Sequence, residues 1–251
     1  YIRDSWLMAM AEMDSEQRAT WEAIYDKKNE EFLKNPSVGK DLLRWKYQRY
    51  VKEYCRTIRS VDEQVGRLLD YLEEKGVLDN TVIVYTSDQG FLLGEHGLYD
   101  KRFMYEESFR TPLIISCPSL VKKHSVCKEL EQNIDLAPTF LSLAGVEVPK
   151  EMSGRSLLPL FKNGKAENWR NELYYHFYDY PAVGSVRKHD GIRTKRYKLI
   201  HWHGEGSGND EAIDFWELYD LKKDVMEVNN VYDSAKYVRV RDALTVDLEK
   251  L

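Results

Sequence analysis

The sequence predicts an α/β fold, and three features carry that prediction. A long stretch with helical periodicity, residues 41–75, runs into a short β-branched stretch, residues 81–86, bounded by turn residues. A loop dense in glycine and charge follows, over residues 87–101. After Pro149 the texture changes to short aromatic, alternating runs, which is the pattern of a small antiparallel sheet.

Taken in order, residues 16–34 are polar and helix-favouring with scattered Trp21, Ile24, Tyr25 and Phe32, and Asn35-Pro36 closes them. This is a surface helix. In residues 41–75, Tyr47, Tyr50, Val51, Tyr54, Ile58, Val61, Val65, Leu68, Leu69 and Leu72 recur at helical spacing, so the helix is long and amphipathic, with Gly76 as its stop. Residues 81–86, Thr-Val-Ile-Val-Tyr-Thr, read as a buried parallel strand, and Pro112 to Ser116 forms a second apolar run. Residues 135–145 form a short helix with Asp135 as N-cap candidate, Pro138 early and Gly145 at the end. Gly154, Pro159 and Gly164 punctuate a loop-rich stretch. Residues 173–178, 185–193, 197–202 and 216–219 then read as antiparallel strands, and residues 235–251 as a closing helix. A larger α/β part, residues 1–165, thus precedes a smaller α+β part, residues 166–251.

At 251 residues and 43% hydrophobic content the chain can bury a substantial core. Its net charge of −5 is spread without a basic patch, which argues against nucleic acid as a partner. No run approaches the roughly 20 apolar residues that span a bilayer. Cys55, Cys117 and Cys127 leave an odd thiol and no Cys-x-x-Cys pair, so neither a disulfide scaffold nor a zinc site is indicated, and a Cys117–Cys127 bridge is the one pairing left open. Residues 1–6 lack a starting Met and the build of a signal peptide, as expected of a chain that begins inside a longer protein.

Loops at the carboxyl ends of strands line the ligand crevice of α/β sheets, so residues 87–101 are where chemistry is expected. Asp88 and Gln89 offer a carboxylate and an amide oxygen, a donor set for a hard cation such as calcium, although an Asp after a strand is more often a cap or turn residue. Gly90, Gly94 and Gly97 let the backbone fold back, and His96, Lys101 and Arg102 arrive soon after. A cation, basic side chains and an imidazole in one loop suit an anionic ester. Asp100 and Arg102 flank Lys101 and either grip sugar hydroxyls or pair with each other. Glu106 and Glu107 are adjacent and face different ways, which weakens a glycosidase reading.

The residues Thr86-Ser87-Asp88-Gln89-Gly90, Leu93-Gly94-Glu95-His96-Gly97, Tyr99-Asp100-Lys101-Arg102, Tyr105-Glu106-Glu107-Ser108 and Arg110-Thr111-Pro112-Leu113-Ile114 together resemble the signature of the type I, formylglycine-dependent sulfatases of the alkaline-phosphatase superfamily. The likeness extends through Asn133-Ile134-Asp135 and Met152-Ser153-Gly154-Arg155 to Tyr197-Lys198-Leu199-Ile200 and Glu217-Leu218-Tyr219-Asp220, covering essentially the whole chain. It implies part of an alkaline-phosphatase-like central sheet flanked by helices, then a small antiparallel sheet with a helix. It implies calcium ligation by Asp88 and Gln89, contact of Lys101 with sulfate and leaving group, and a sulfate or sugar contact for His96. Asp100, Arg102 and His189 become glycan contacts. The wording is most similar to bacterial glycan sulfatases such as N-acetylglucosamine-6-sulfatases, which implies a sulfated sugar, glycosaminoglycan or mucin glycan as substrate and a periplasmic or secreted location.

The family's Cys-x-Pro-Ser-Arg motif, source of the formylglycine nucleophile, is absent: in Cys117-Pro118-Ser119-Leu120 the proline comes one place early and no arginine follows. The resemblance therefore implies that the nucleophile and the remaining calcium ligands come from an N-terminal half outside these residues, and that this chain alone is inactive. Two alternatives stand beside it, a phosphonate or phosphate ester hydrolase of the same superfamily and a non-catalytic remnant that binds sulfated glycans. The aromatics Trp169, Tyr174, Tyr175, Phe177, Tyr178 and Tyr180 fit core packing better than sugar stacking.

Overall fold

The computed structural model describes residues 8, 10–181, 185–206, 208 and 210–250; residues 1–6 and 251, read above, lie outside them. The chain divides into two compact units, Tyr1–Asp70 and Tyr71–Leu251.

In the first unit, helix α1 (Ser15–Lys34) starts where the Asp14 carboxylate accepts from the backbone nitrogens of Glu16 and Gln17, and the Gln17 side chain accepts from Asp14 N at 3.1 Å. This reciprocal cap satisfies amides that the helix itself leaves open. Helix α2 (Gly39–Glu74) runs back along α1, with Phe32 stacked on Trp45 at 4.0 Å and Tyr25 donating to Glu53 at 3.1 Å. The helix stops as the sequence predicts: Gly76 takes a left-handed φ of 66°, and Val77 N reaches the Leu72 carbonyl at 3.0 Å. Its apolar periodicity leads one to expect a covered face, yet no residue of α2 is buried.

In the second unit, strand β1 (Ile83–Thr86) pairs antiparallel with β4 (Leu113–Ser116), Ile83 opposite Ser116 and Thr86 opposite Leu113. This corrects the buried parallel strand. A β-branched run fixes an extended backbone but not its partner, and here residues 87–112 double back so that β4 returns in the opposite sense. The strand pair is also partly solvated, with Tyr85 and Ile114 exposed. Within the connection, β2 (Leu92–Leu93) and β3 (Tyr99–Asp100) form a small hairpin, and a single helical turn, α3 (Glu106–Phe109), follows.

Helix α4 (Leu136–Leu143) begins where expected, but Asp135 does not cap it. The fully buried Asp135 carboxylate instead pairs bidentately with Arg170 and accepts from Arg155 N at 2.7 Å and Gln132 N at 2.9 Å. Helix α5 (Leu158–Phe161) brings Leu157, Leu160 and Phe161 against Leu113, Ile115, Leu136 and Leu143 in a small core. All three cysteines are free thiols, so the Cys117–Cys127 bridge does not form.

Strands β5 (Glu172–Phe177), β6 (His189–Thr194), β7 (Tyr197–Gly204) and β8 (Ile213–Asp220) form an antiparallel sheet in sequence order. Because side chains alternate faces along a strand, the sheet carries two cores. On one face Ile200, Trp202 and Tyr219 surround Met104 and meet Phe103, Tyr105 and Phe109 from the loop region. On the other, Ile192, Leu199 and Leu218 pack against Leu244 of the closing helix α6 (Val238–Leu248).

Candidate active site

The loop after β1 is held by short-range necessity. Gly90 lies so close to the turn at α3 that a Cβ there would sit 2.0 Å from the Glu107 carbonyl oxygen, and its amide donates to the Ser108 carbonyl at 2.8 Å. Only glycine fits such an approach. From the other side, Asn133 Nδ2 donates to the carbonyls of both Ser87 and Asp88 at 3.1 Å each. The Ser87 hydroxyl donates to the Gln89 carbonyl at 2.7 Å.

These restraints bring Asp88, Gln89 and Lys101 together. With donors matched to acceptors, the Gln89 amide nitrogen donates to Asp88 Oδ2 at 3.2 Å and its oxygen accepts from Lys101 Nζ at 3.0 Å. In this orientation the Gln89 amide bridges the Asp88 carboxylate and the Lys101 ammonium.

His96 stands at a left-handed φ of 56°, its ring stacked 4.2 Å from Tyr105 and its Nε2 3.5 Å from the Glu107 carboxylate. Asp100 and Arg102 also take left-handed φ values, 89° and 86°, and Arg102 Nη1 donates to Asp100 Oδ2 at 2.6 Å. The mutual ion pair weighed from the sequence therefore forms.

His189 sits elsewhere. It is fully buried in the sheet, stacked 4.2 Å from Trp202, with Nδ1 against the Arg187 carbonyl at 2.8 Å. Burial, only partly offset by that carbonyl, pushes its imidazole down to about 4. This corrects the expectation that His189 offers itself to a sugar: its position on β6 points it into the core face rather than to solvent. Tyr175 and Phe177 pack in that same core, whereas Tyr178 is exposed.

Sequence reasoning missed what fastens the loop to the sheet. Lys198 is wholly buried, and its Nζ donates to the Met104 carbonyl at 2.6 Å and approaches Glu227 at 2.7 Å and Glu106 at 2.9 Å. Arg193 adds a second cation to Glu106, at 3.2 Å. Burial alone would raise the Glu106 carboxyl, but Lys198 and Arg193 outweigh it and hold it below its ordinary value. At Glu227 burial outweighs Lys198 and the Glu106 amide, and keeps the carboxyl raised. The Tyr175 hydroxyl donates to the Arg102 carbonyl at 2.7 Å, and burial pushes that phenol up to about 12. The one usable sequence signal was Lys198 alternating into an apolar strand, where a lysine needs buried partners.

Comparison with known proteins gives a consistent picture. A family model described as Sulfatase matches residues 11–146, and one described as N-sulphoglucosamine sulphohydrolase, C-terminal, matches residues 94–251. An N-acetylglucosamine-6-O-sulfatase of Bacteroides thetaiotaomicron is 49% identical over 240 residues, covering 95% of this chain and 42% of that protein. The multifunctional alkaline phosphatase superfamily protein PehA of Trinickia caryophylli is 35% identical over 202 residues, covering 75% of this chain and 38% of its own length. A structure solved in complex with its substrate D-glucosamine-2-N,6-O-disulfate superposes with a TM-score of 0.86 at 49% identity, over 95% of this chain and 47% of that one. The chain thus spans less than half the length of each relative.

Proposed function

The chain belongs to the sulfatase family, and from that premise we propose that it supplies one wall of an active site hydrolysing sulfate esters on a carbohydrate, with 6-O-sulfated glucosamine as the substrate class. The observation that carries this is the meeting of Asp88, Gln89 and Lys101 within the connection that follows β1, a carboxylate, an amide and an ammonium side by side. The substrate class follows from the relatives, whose names and bound ligand are those of sulfated glucosamines.

Asp88 and Gln89 fit calcium by donor chemistry, a carboxylate and an amide oxygen on adjacent residues. When bound, calcium supplies positive charge against the oxygens of the sulfate group. Lys101, which stands beside Gln89, directs its donors at those oxygens and offsets negative charge on the departing alkoxide. His96, held between Tyr105 and Glu107, contacts the sulfate or the sugar. Arg102, braced by Asp100, contacts sugar hydroxyls. Two oxygens make a weak site by themselves, and no Cys-x-Pro-Ser-Arg motif occurs in the chain. The nucleophile and further metal ligands therefore come from sequence outside these residues. A periplasmic or secreted setting goes with the same reading. Among the described residues no helix is long and apolar enough to cross a membrane.

The test joins this chain to the N-terminal portion of the Bacteroides thetaiotaomicron relative and assays N-acetylglucosamine-6-sulfate beside a phosphonate monoester, with and without calcium. The expected result is calcium-dependent desulfation by the chimera, loss of about 100-fold or more in kcat for Lys101→Ala, and no turnover by the 251 residues alone. Faster phosphonate hydrolysis would move the proposal to the other branch of the superfamily. Sugar binding without turnover would favour the glycan-binding remnant.

A further inference from the structure

On the face of the β5–β8 sheet that turns away from the loop, a second group of ligating side chains converges. Register places Asp190 of β6 directly opposite His201 of β7, and His203 stands two residues further along the same face. These residues share the side of Ile192 and Leu199, whereas His189, Ile200 and Trp202 face the loop. The group is therefore separate from the candidate active site.

Its ligand atoms are already close. Asp190 Oδ2 lies 3.4 Å from His203 Nε2, Asp190 Oδ1 lies 3.8 Å from His201 Nδ1, and all three residues offer atoms within 4.8 Å of one another. Ligands of a tetrahedral zinc ion stand about 3.3 Å apart, given bonds near 2.0–2.1 Å. Two of these atoms, Asp190 Oδ1 and His203 Nε2, are shielded from solvent and have no hydrogen-bond partner. His201 is oriented from behind: its Nε2 pairs with Asp214 Oδ1 at 2.9 Å, and its ring stacks on Trp216 at 3.9 Å with 6° between planes. A carboxylate on the far nitrogen leaves Nδ1 as the free lone pair, aimed at the Asp190 carboxylate, and it is the usual outer partner of a metal-bound histidine. Acceptor atoms that face each other in this way are held together by a proton or a metal ion between them. His176 is not counted, because its Nδ1 is engaged by the Tyr174 hydroxyl at 2.9 Å.

We propose that Asp190, His201 and His203 bind a transition-metal ion of the zinc class, with the fourth position open to water. Two imidazoles and one carboxylate select such an ion over calcium, which takes oxygen ligands. Because all three ligands stand on paired strands, the site ties β6 to β7 without rearrangement of the sheet.

The experiment is calorimetric titration of Zn²⁺ alone into the full 251-residue chain, repeated with Asp190→Asn, His201→Gln, His203→Gln and, as a control at the loop, Asp88→Asn. One equivalent should bind. Each of the three ligand variants should weaken binding more than about tenfold, and Asp88→Asn should leave it unchanged. In the unaltered chain, imidazole nitrogen NMR should show His203 Nε2 and His201 Nδ1 shifting on zinc addition, a readout that does not depend on any variant folding. Absence of saturable binding, equal affinity in His203→Gln, or unshifted imidazole nitrogens would overturn the proposal in favour of a surface proton-sharing network.

Discussion

Asn133 spans the turn after β1 by donating to the carbonyl of Asp88 and, from the same nitrogen, to that of Ser87, each at 3.1 Å. The residue that positions the candidate metal ligand thus lies 45 positions away, just ahead of α4. Asn133→Ala removes both bonds at a solvent-accessible site, so overall stability should change by no more than about 1 kcal/mol. The local effect should be larger: amide hydrogen exchange over residues 87–90 should accelerate while exchange in β5–β8 stays unchanged. Equal exchange in both proteins would remove Asn133 from its positioning role.

The buried Lys198 predicts a much larger effect on stability. In Lys198→Met the carboxylates of Glu106 and Glu227 lose their common cation in a place closed to water, which should cost about 3–5 kcal/mol. Urea unfolding should show a lower midpoint at similar slope. Adding Glu227→Gln to Lys198→Met should cost less than the sum of the two single changes, since the second removes the charge that the first stranded. Strict additivity would mean that the two side chains do not interact in the folded state.

Gly90→Ala tests the close approach beneath the loop. The added methyl would meet the Glu107 carbonyl oxygen at 2.0 Å and the carbonyl carbon at 2.9 Å, and backbone atoms cannot swing aside as a side-chain tip can. A loss of about 1–3 kcal/mol is expected, as for other overpacked sites. Lys101 should also separate from Gln89, which can be followed by a changed Gln89 side-chain amide resonance. An unchanged melting temperature and resonance would show that the turn has more room than the distances indicate.

Asp220 makes the acid limb of stability predictable. Its carboxylate accepts from Arg196 Nε at 2.9 Å and Nη2 at 2.8 Å, and these bonds lower it from 3.8 to about 2. A carboxyl depressed in the folded state binds its proton more readily when unfolded. Its contribution is therefore full above the unfolded value and is lost as pH falls through the folded one. Stability should drop between about pH 4 and pH 2 in the parent chain. Asp220→Asn should start less stable and lose that part of the slope, as measured by unfolding free energy across this range. Parallel curves would assign the acid sensitivity to other carboxylates.

Helix periodicity, the Gly76 stop, the four aromatic strands and the loop Asp88 to Arg102 were all legible in the chain, because local spacing and turn chemistry fix a backbone state over a few residues. The sequence also determined the family, through motifs whose residue types are set by chemistry at a site. Tertiary structure decided partners. It made β1 antiparallel to β4, took Asp135 from a cap to a salt bridge with Arg170, turned His189 inward, and placed Asn133 and Lys198 at the loop. Strand pairing, buried ion pairs and the face that a side chain occupies depend on residues distant in sequence, and no local pattern encodes which of them will meet.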